Sequence, residues 1–173
     1  RSKRGWDSGA SYTKFAEITP EEEILLREQV RTNCDSARAY FDTLTKLARQ
    51  HLAGANAIAG SSNGRMQTDG FTYRAYTQPV LKGLNLKTEL ESRSSLPVTV
   101  VNDSSAAALG EWWRGAGRGC RNLMVLLLCP GAGAGLPPNG KPVGGRRRNA
   151  TAAFHPLFGS GRSVCRVPVL RPS

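Results

Sequence analysis

The alternation of hydrophobic and polar positions divides the first part of the chain into short strands and one helix. Residues 5–18 alternate around a turn of small residues, which predicts two strands, and a third strand is expected over 24–30. Apolar residues recur every three or four positions over 33–52, which predicts an amphipathic helix with Asn33 as its cap. The chain therefore begins with strands that precede the first helix.

Strands and helices alternate after that point. Short apolar segments predict strands over 55–60, 97–101 and 122–128, and the last is apolar enough at 123–128 to be expected buried on both faces. Helices are expected over 86–93 and 104–114. Strands followed by helices, and then by further strands and helices, indicate an α/β fold.

Regular patterning ends near residue 144. Gly, Pro, Arg and Ser dominate residues 145–173, and residues 146–148 are three consecutive arginines. We predict one α/β lobe over 1–144 and a basic, poorly ordered tail over 145–173.

Charge is distributed unevenly along the 173 residues, whose net charge is +11. Residues 1–111 carry 14 Lys/Arg against 13 Asp/Glu, whereas residues 112–173 carry 10 Lys/Arg and no acid. Globular surfaces normally mix both signs, so the last third indicates either a polyanion-binding surface or decayed or frameshifted sequence. No aromatic residues interleave with these arginines to stack on bases, so specific nucleic-acid binding is not expected.

The cysteines and the apolar segments bear on the cellular setting. The longest apolar run, 123–128, is too short to span a bilayer, and no signal-peptide pattern is present. The chain does not start with Met, which favours a fragment or a processed product. We expect a soluble, cytoplasmic protein with no membrane contact and with reduced thiols, because the four cysteines lie far apart. They are Cys34, Cys120, Cys129 and Cys165.

The junction between strand 97–101 and helix 104–114 carries the most informative residues. Asn102 and Asp103 stand where the strand gives way to an alanine-rich helix, the edge at which α/β folds bind ligands. One interpretation makes Asp103 only the N-cap of the helix, a common role for Asp. The other places its carboxylate beside a bound ligand.

This junction resembles a known catalytic segment. The arrangement Leu-Pro-Val-x-Val-x-Asn-Asp-x-x-Ala-Ala-Ala-Leu-Gly-Glu is similar to that of the ROK family of bacterial-type sugar kinases. The resemblance implies that Asp103 is the general base that takes a proton from a sugar hydroxyl. It extends from residue 5 to about 155 and implies an α/β, ribonuclease-H-like lobe of the actin/hexokinase/Hsp70 type, with the second lobe largely missing.

The resemblance also implies a site for ATP and Mg²⁺. The hairpin at 7–14 is similar to the family's phosphate turn Asp-x-Gly-Gly-Thr-Lys, where backbone amides approach phosphates and the Asp acts on Mg²⁺ through water. The retained residues, and so the expected nucleotide ligands, are Asp7, Gly9, Thr13 and Lys14. Gly131 and Gly133 resemble a second phosphate hairpin, although Pro130 beside them has no N–H to donate. Taken alone, the first segment is equally compatible with an ordinary glycine hairpin, and a glycine-rich stretch such as the second is most often just a turn.

A sugar pocket is implied by two further segments. Gly64 and Arg65 resemble the Gly-Gly-Arg sugar loop of N-acetylmannosamine kinases and would line the sugar with Asn102 and Asp103. The other interpretation is a solvated turn over 61–65. The family completes the pocket with Glu-x-Gly-His, and here only the histidine remains, as His155.

In the family, the histidine that matches His155 also binds a structural zinc ion. Cys165 lies ten residues further along, where the first zinc cysteine is expected. Because His155 and Cys165 alone do not make a four-coordinate closed site, zinc binding is not expected.

These features predict an ATP-dependent sugar kinase, or a fragment or relic of one. Its substrate would be a hexose or N-acylhexosamine such as glucose or N-acetylmannosamine, which it would phosphorylate on the 6-hydroxyl. We expect weak or absent activity from this chain alone, because Pro130, Ala152 and the missing lobe each remove a working part. The alternative is a non-catalytic sugar-binding or polyanion-binding protein. A DNA-binding repressor of the family is not expected, because only four residues precede Gly5; a homodimer is compatible with the resemblance.

Overall fold

The computed structural model describes residues 3–19, 21, 23–51, 55–67, 69–75, 77–121, 123–128 and 132–135. Nine strands, three α-helices and one short 3₁₀ turn are found within those residues. In chain order they are β1 (Lys3–Ser8), β2 (Tyr12–Ile18), β3 (Ile24–Arg31), α1 (Ala37–His51), β4 (Ile58–Ser62), β5 (Arg65–Met66), β6 (Thr72–Arg74), the 3₁₀ turn (Pro79–Leu81), α2 (Leu86–Ser94), β7 (Val98–Asn102), α3 (Asp103–Arg114), β8 (Val125–Leu128) and β9 (Ala132–Gly135).

Five strands form the main sheet in the order β3-β2-β1-β4-β7. Strand β2 runs antiparallel to both of its neighbours, whereas β1, β4 and β7 are parallel to one another. The carboxyl ends of these three parallel strands therefore meet at one edge of the sheet, where open α/β sheets bind ligands. The sheet confirms the predicted α/β class.

Alternation along β1 and β2 separates the two faces of this sheet. Trp6 pairs with Phe15 on the face that α1 and α2 cover, and Asp7 pairs with Lys14 on the opposite face. Gly60 of β4 lies beside Trp6, and a Cβ at that position would come within 2.3 Å of the indole ring. The indole therefore occupies the space that only a glycine leaves.

The hydrophobic core lies between the sheet and the two helices α1 and α2. Its well-buried members include Tyr40, Phe41, Leu44, Leu86, Leu90, Val98 and Val100. Helix α3 lies on the other face, where Ala106 and Leu109 border a groove shared with Ala59 of the sheet. None of the helices in the described part of the chain is long and apolar enough to cross a membrane.

The cap of α1 differs from the sequence-based expectation. Ser36, not Asn33, caps the helix, because its Oγ accepts a hydrogen bond of 3.1 Å from the Ala39 amide. Asn33 instead accepts from the Asp35 amide at 3.0 Å, two residues further on, which forms a local turn before the helix begins.

Strand β4 runs further than expected. Ser61 and Ser62, which were expected in a polar turn, are the last two residues of the strand and are buried. They pair with Asp7 and Ser8 of β1. The Ser61 hydroxyl donates to the Asp7 carboxylate, and the Ser62 hydroxyl donates to the Gln78 Oε1.

The prediction that the strand over 122–128 is buried on both faces is wrong. Among the described strands, β8 pairs with β9 alone, in a two-stranded ribbon separate from the main sheet, and this ribbon packs against α3. Leu126 remains 48% exposed. A ribbon that packs one face on a single helix leaves its alternate side chains in contact with solvent.

Candidate active site

Asn102, and not Asp103, is the N-cap of helix α3. The Asn102 Oδ1 accepts from the amides of Ser104 at 3.1 Å and Ser105 at 3.4 Å. The interpretation of Asp103 as merely the N-cap is therefore wrong. The Asn102 Nδ2 donates to the Gly64 carbonyl at 2.9 Å, so one buried side chain ties the loop after β4 to the start of α3.

Asp103 is partly exposed in the first turn of α3. Its Oδ1 accepts from the Ser104 amide at 2.7 Å and from the Ser104 hydroxyl at 3.3 Å. Burial raises the pKa of Asp103 above its ordinary value, the Ser104 hydrogen bonds oppose that rise, and the charge of Asp7 adds to it. A carboxyl group with a raised pKa is a stronger base than an exposed one, which suits proton abstraction.

The loop at Gly64 is more constrained than a solvated turn. Gly64 has a φ of +105°, and a Cβ there would come within 2.5 Å of the Arg74 carbonyl, so a larger residue would be both strained and crowded. Arg65 begins β5 and is only partly exposed. Its Nε is buried and has no hydrogen-bond partner among the described residues.

Asp7 lies at the carboxyl end of β1, on the sheet face opposite the core. The Ser61 hydroxyl donates a hydrogen bond of 2.6 Å to the Asp7 Oδ1. Asp7, Ser61 and the exposed Lys14 all line a groove of about 750 Å³ on this face, which α3 borders through Ala106. The groove thus presents a carboxylate, a hydroxyl and an ammonium group close together, a set suited to a magnesium-bound anion.

The turn between β1 and β2 differs from expectation at one residue. Gly9 is partly exposed at the turn, but Thr13 is only 1% exposed. The Thr13 hydroxyl lies 3.3 Å from the Ser8 hydroxyl and 3.0 Å from that of Thr32. Thr13 was expected to contact a nucleotide directly; because its hydroxyl is directed into the protein, it supports the turn instead.

Of the remaining predicted site residues, the structure describes only Gly133. Gly133 is in β9, opposite Leu127. Gly131, His155 and Cys165 fall outside the described residues, as does the predicted tail.

Three residues of this region were missed by the sequence analysis. They are Ser61, which bonds Asp7, and Thr32 and Gln78, which both bond the Gly9 carbonyl. The strand alternation that places Asp7 on one face could have indicated Ser61, had β4 been extended by two residues. Nothing in the local sequence indicates Gln78, which contacts a residue 69 positions away.

The strand order and the helices on both faces of the sheet define the fold class, which is the ribonuclease-H-like lobe of actin/hexokinase-type ATPases. A solved structure with this architecture is the ROK family glucokinase from Streptomyces griseus in complex with glucose and AMPPNP. It superposes with a TM-score of 0.77 at 27% identity, covering 84% of this chain and 47% of that one.

Curated relatives agree with this class. The glucokinase of Halalkalibacterium halodurans is 33% identical over 150 residues, which are 82% of this chain and 45% of the relative. The N-acetyl-D-glucosamine kinase of Vibrio cholerae is 28% identical over 154 residues, which are 87% of this chain and 51% of the relative. The ROK family pattern matches residues 4–168, and the chain belongs to the ROK family. It spans about half the length of the curated relatives it matches.

Proposed function

We propose that this chain supplies the sugar-binding and proton-accepting part of an ATP-dependent sugar kinase. The reaction would transfer the γ-phosphoryl group to the 6-hydroxyl of a hexose or N-acylhexosamine such as glucose or N-acetylmannosamine. One observation carries the proposal: Asn102, and not Asp103, caps α3, and the same Asn102 side chain bonds the Gly64 carbonyl of the neighbouring loop. Ser104 bonds the Oδ1 of Asp103, and Asp103 remains partly exposed.

Asp103 is the proposed general base. Its carboxylate would accept the proton of the sugar hydroxyl as the new O–P bond forms, a contribution of about 10²–10⁴ in rate. Gly64 and Arg65 would hold the sugar, since the Arg65 side chain is partly exposed and its Nε has no partner in the part of the chain that the structure describes. Asn102 would act mainly by fixing this geometry, because its Oδ1 and one of its Nδ2 hydrogens are already engaged.

The phosphate side is proposed to lie at the end of β1. Asp7, whose carboxylate Ser61 orients, would hold Mg²⁺ through water, and Gly9 and Lys14 would adjoin the phosphates. Bound Mg·ATP would supply the phosphoryl group and neutralise its charge. Gly131 and Gly133 would approach the same phosphates, and His155 would reach the sugar.

A second candidate is a non-catalytic, sugar-binding member of the family. The observation that favours it is Pro130 in the second predicted phosphate hairpin, because proline has no amide N–H to donate to a phosphate. We therefore expect turnover to be weak even where sugar binds.

The decisive experiment measures ADP release and sugar binding on the full chain. Glucose, N-acetylglucosamine and N-acetylmannosamine are tested beside 6-deoxyglucose, which lacks the accepting hydroxyl. We expect Asp103→Asn to lower sugar-dependent ADP release by about 10²–10⁴. The matched control Asp35→Asn, at an exposed position before α1, should leave ADP release unchanged.

The outcomes separate the candidates. Release that requires the 6-hydroxyl and Asp103 supports the kinase. Calorimetric binding of a sugar without any ADP release supports the non-catalytic protein instead. If no sugar binds and none supports release, or if Asp103→Asn turns over normally, the proposed kinase is contradicted.

A further inference from the structure

The carbonyl of Gly9, at the turn between β1 and β2, accepts two hydrogen bonds from distant parts of the chain. The Thr32 hydroxyl donates to it at 2.8 Å and the Gln78 Nε2 donates at 3.0 Å. Thr32 directly follows β3, and Gln78 immediately precedes the 3₁₀ turn. Two elements that are remote in sequence therefore hold the same backbone atom.

Gln78 is wholly buried at this point and uses both ends of its amide. Its second Nε2 hydrogen is directed at the Ser8 hydroxyl, 3.3 Å away, and its Oε1 accepts from the Ser62 hydroxyl at 3.4 Å. Because the Gly9 carbonyl can only accept, the amide orientation of Gln78 is determined. Gln78 thus links the ends of β1 and β4 to the turn.

Counting donors fixes the direction of the remaining hydroxyl contacts. Thr32 donates to Gly9, so Thr13, 3.0 Å from it, must donate to Thr32. Ser8, 3.3 Å from Thr13, must then donate to Thr13 while it accepts from Gln78. The bonds form a closed ring, in which two routes lead from the Gln78 amide to the Gly9 carbonyl. One route is the direct hydrogen bond, and the other passes through the hydroxyls of Ser8, Thr13 and Thr32.

Two further carbonyls of this turn, those of Ser11 and Tyr12, are also engaged. The Thr32 amide donates to the Ser11 carbonyl at 3.0 Å, and the Gly9 amide donates to the Tyr12 carbonyl at 3.0 Å. Ala10 and Ser11 are exposed, and no acceptor for their amides is found among the described residues. A turn with three of its carbonyls occupied and two of its amides available is suited to bind an anion.

We propose that Thr32 and Gln78 are positioning residues that hold the β1–β2 turn with the Ala10 and Ser11 amides available to phosphate oxygens. This inference rests on the proposed function, for which the turn is the phosphate-binding side of the site. Thr32 and Gln78 touch no phosphate themselves. They act through the Gly9 carbonyl, which they keep away from the anion.

Inorganic tripolyphosphate with Mg²⁺ is the probe, and the chemical shifts of the Ala10 and Ser11 amides in the full chain are the readout. An amide-specific readout is needed because a net charge of +11 attracts polyanions to other parts of the surface. Thr32→Val removes the hydroxyl and keeps the branched shape, and Thr32→Ser restores the hydroxyl. Thr43→Val is the matched control, because its hydroxyl bonds only the Ala39 carbonyl within α1.

We expect Thr32→Val and Gln78→Met to weaken tripolyphosphate binding at these two amides at least about tenfold. Thr32→Ser should bind within about threefold of wild type, and Thr43→Val should match wild type. A general loss of stability would not be rescued by serine and would not spare the control.

The inference is overturned if wild type shows no shift at these amides. It is also overturned if Thr32→Val binds as wild type does, or if Thr32→Ser is as weak as Thr32→Val. None of these measurements uses sugar or turnover. Failure of the kinase proposal, seen as absent sugar binding and ADP release, is therefore distinguishable from failure of this inference.

Discussion

The two glycine hairpins of this chain look alike in sequence but are supported differently in the fold. The β1–β2 turn belongs to the five-stranded sheet, and the partly exposed Thr32 and the fully buried Gln78 bond its Gly9 carbonyl. The β8–β9 hairpin forms a separate two-stranded ribbon, whose Leu126 is 48% exposed. A glycine pattern therefore indicates where a backbone can approach a ligand. The elements packed around it decide whether its amides are held in place.

This difference predicts that the sheet body and the ribbon have unequal local stability. Isolated two-stranded ribbons are marginal in water, whereas strands over a hydrophobic core are protected.

Truncating one leucine in each region should produce the greatest difference in the free energy of unfolding. Leu86 is fully buried in the core, so Leu86→Ala should lower the free energy of unfolding by about 2–5 kcal/mol. Leu126→Ala should cost about 1 kcal/mol or less, because half of its side chain already contacts water. Urea denaturation followed by far-ultraviolet circular dichroism measures both. Equal losses would show that the ribbon is as firmly integrated as the sheet.

The second comparison uses one glycine of the sheet, Gly60 in β4, and one glycine of helix α3, Gly110. In Gly60→Ala the new methyl must displace the Trp6 ring, at a cost of about 1–3 kcal/mol. Gly110→Ala, on the helix that carries the ribbon, has open space around its Cβ and should stabilise the protein by about 0.5–1 kcal/mol. The two substitutions should thus shift the thermal midpoint in opposite directions. A stable Gly60→Ala protein would mean that the indole packs more loosely than described.

The smallest effect concerns the ionisation of Asp103. Burial raises the pKa of Asp103, and the charge of Asp7, at the end of the first hairpin, adds to that rise. Asp7→Asn should therefore lower the pKa of Asp103 toward its ordinary value, measured by carboxyl-carbon NMR titration. Leu126→Asn in the ribbon adds no charge and should leave this pKa unchanged. A shift of equal size in both variants would contradict the contrast.

The same raised pKa has a consequence for stability. Because the folded state holds the Asp103 proton more tightly than the unfolded state, ionisation of Asp103 destabilises the fold above the folded-state pKa. The cost disappears as pH falls through that pKa to the unfolded value. Asp103→Asn should therefore gain stability relative to wild type at neutral pH, with a gain that shrinks in acid. A pH-independent difference in urea denaturation would contradict this assignment.

Much of the fold was predictable from local pattern. The expected helix over 86–93 is found as Leu86–Ser94, and the strand and helix that flank Asn102 lie within two residues of their expected positions. These elements were identified because alternation, helical periodicity and capping residues act within a few positions of one another. The two short strands β5 and β6 and the 3₁₀ turn had no such signal.

The amino-acid sequence alone determined the α/β class and placed a carboxylate where a strand gives way to a helix, since both depend on neighbouring residues. The folded structure was needed to show that Asn102 and not Asp103 is the cap, and that β8 stays half exposed. It was also needed to find the bond from Ser61 to Asp7 across 54 positions and the bond from Gln78 to Gly9 across 69. These two long-range contacts exist only after the strands have assembled in the order β3-β2-β1-β4-β7, because that order brings distant strand ends to one edge.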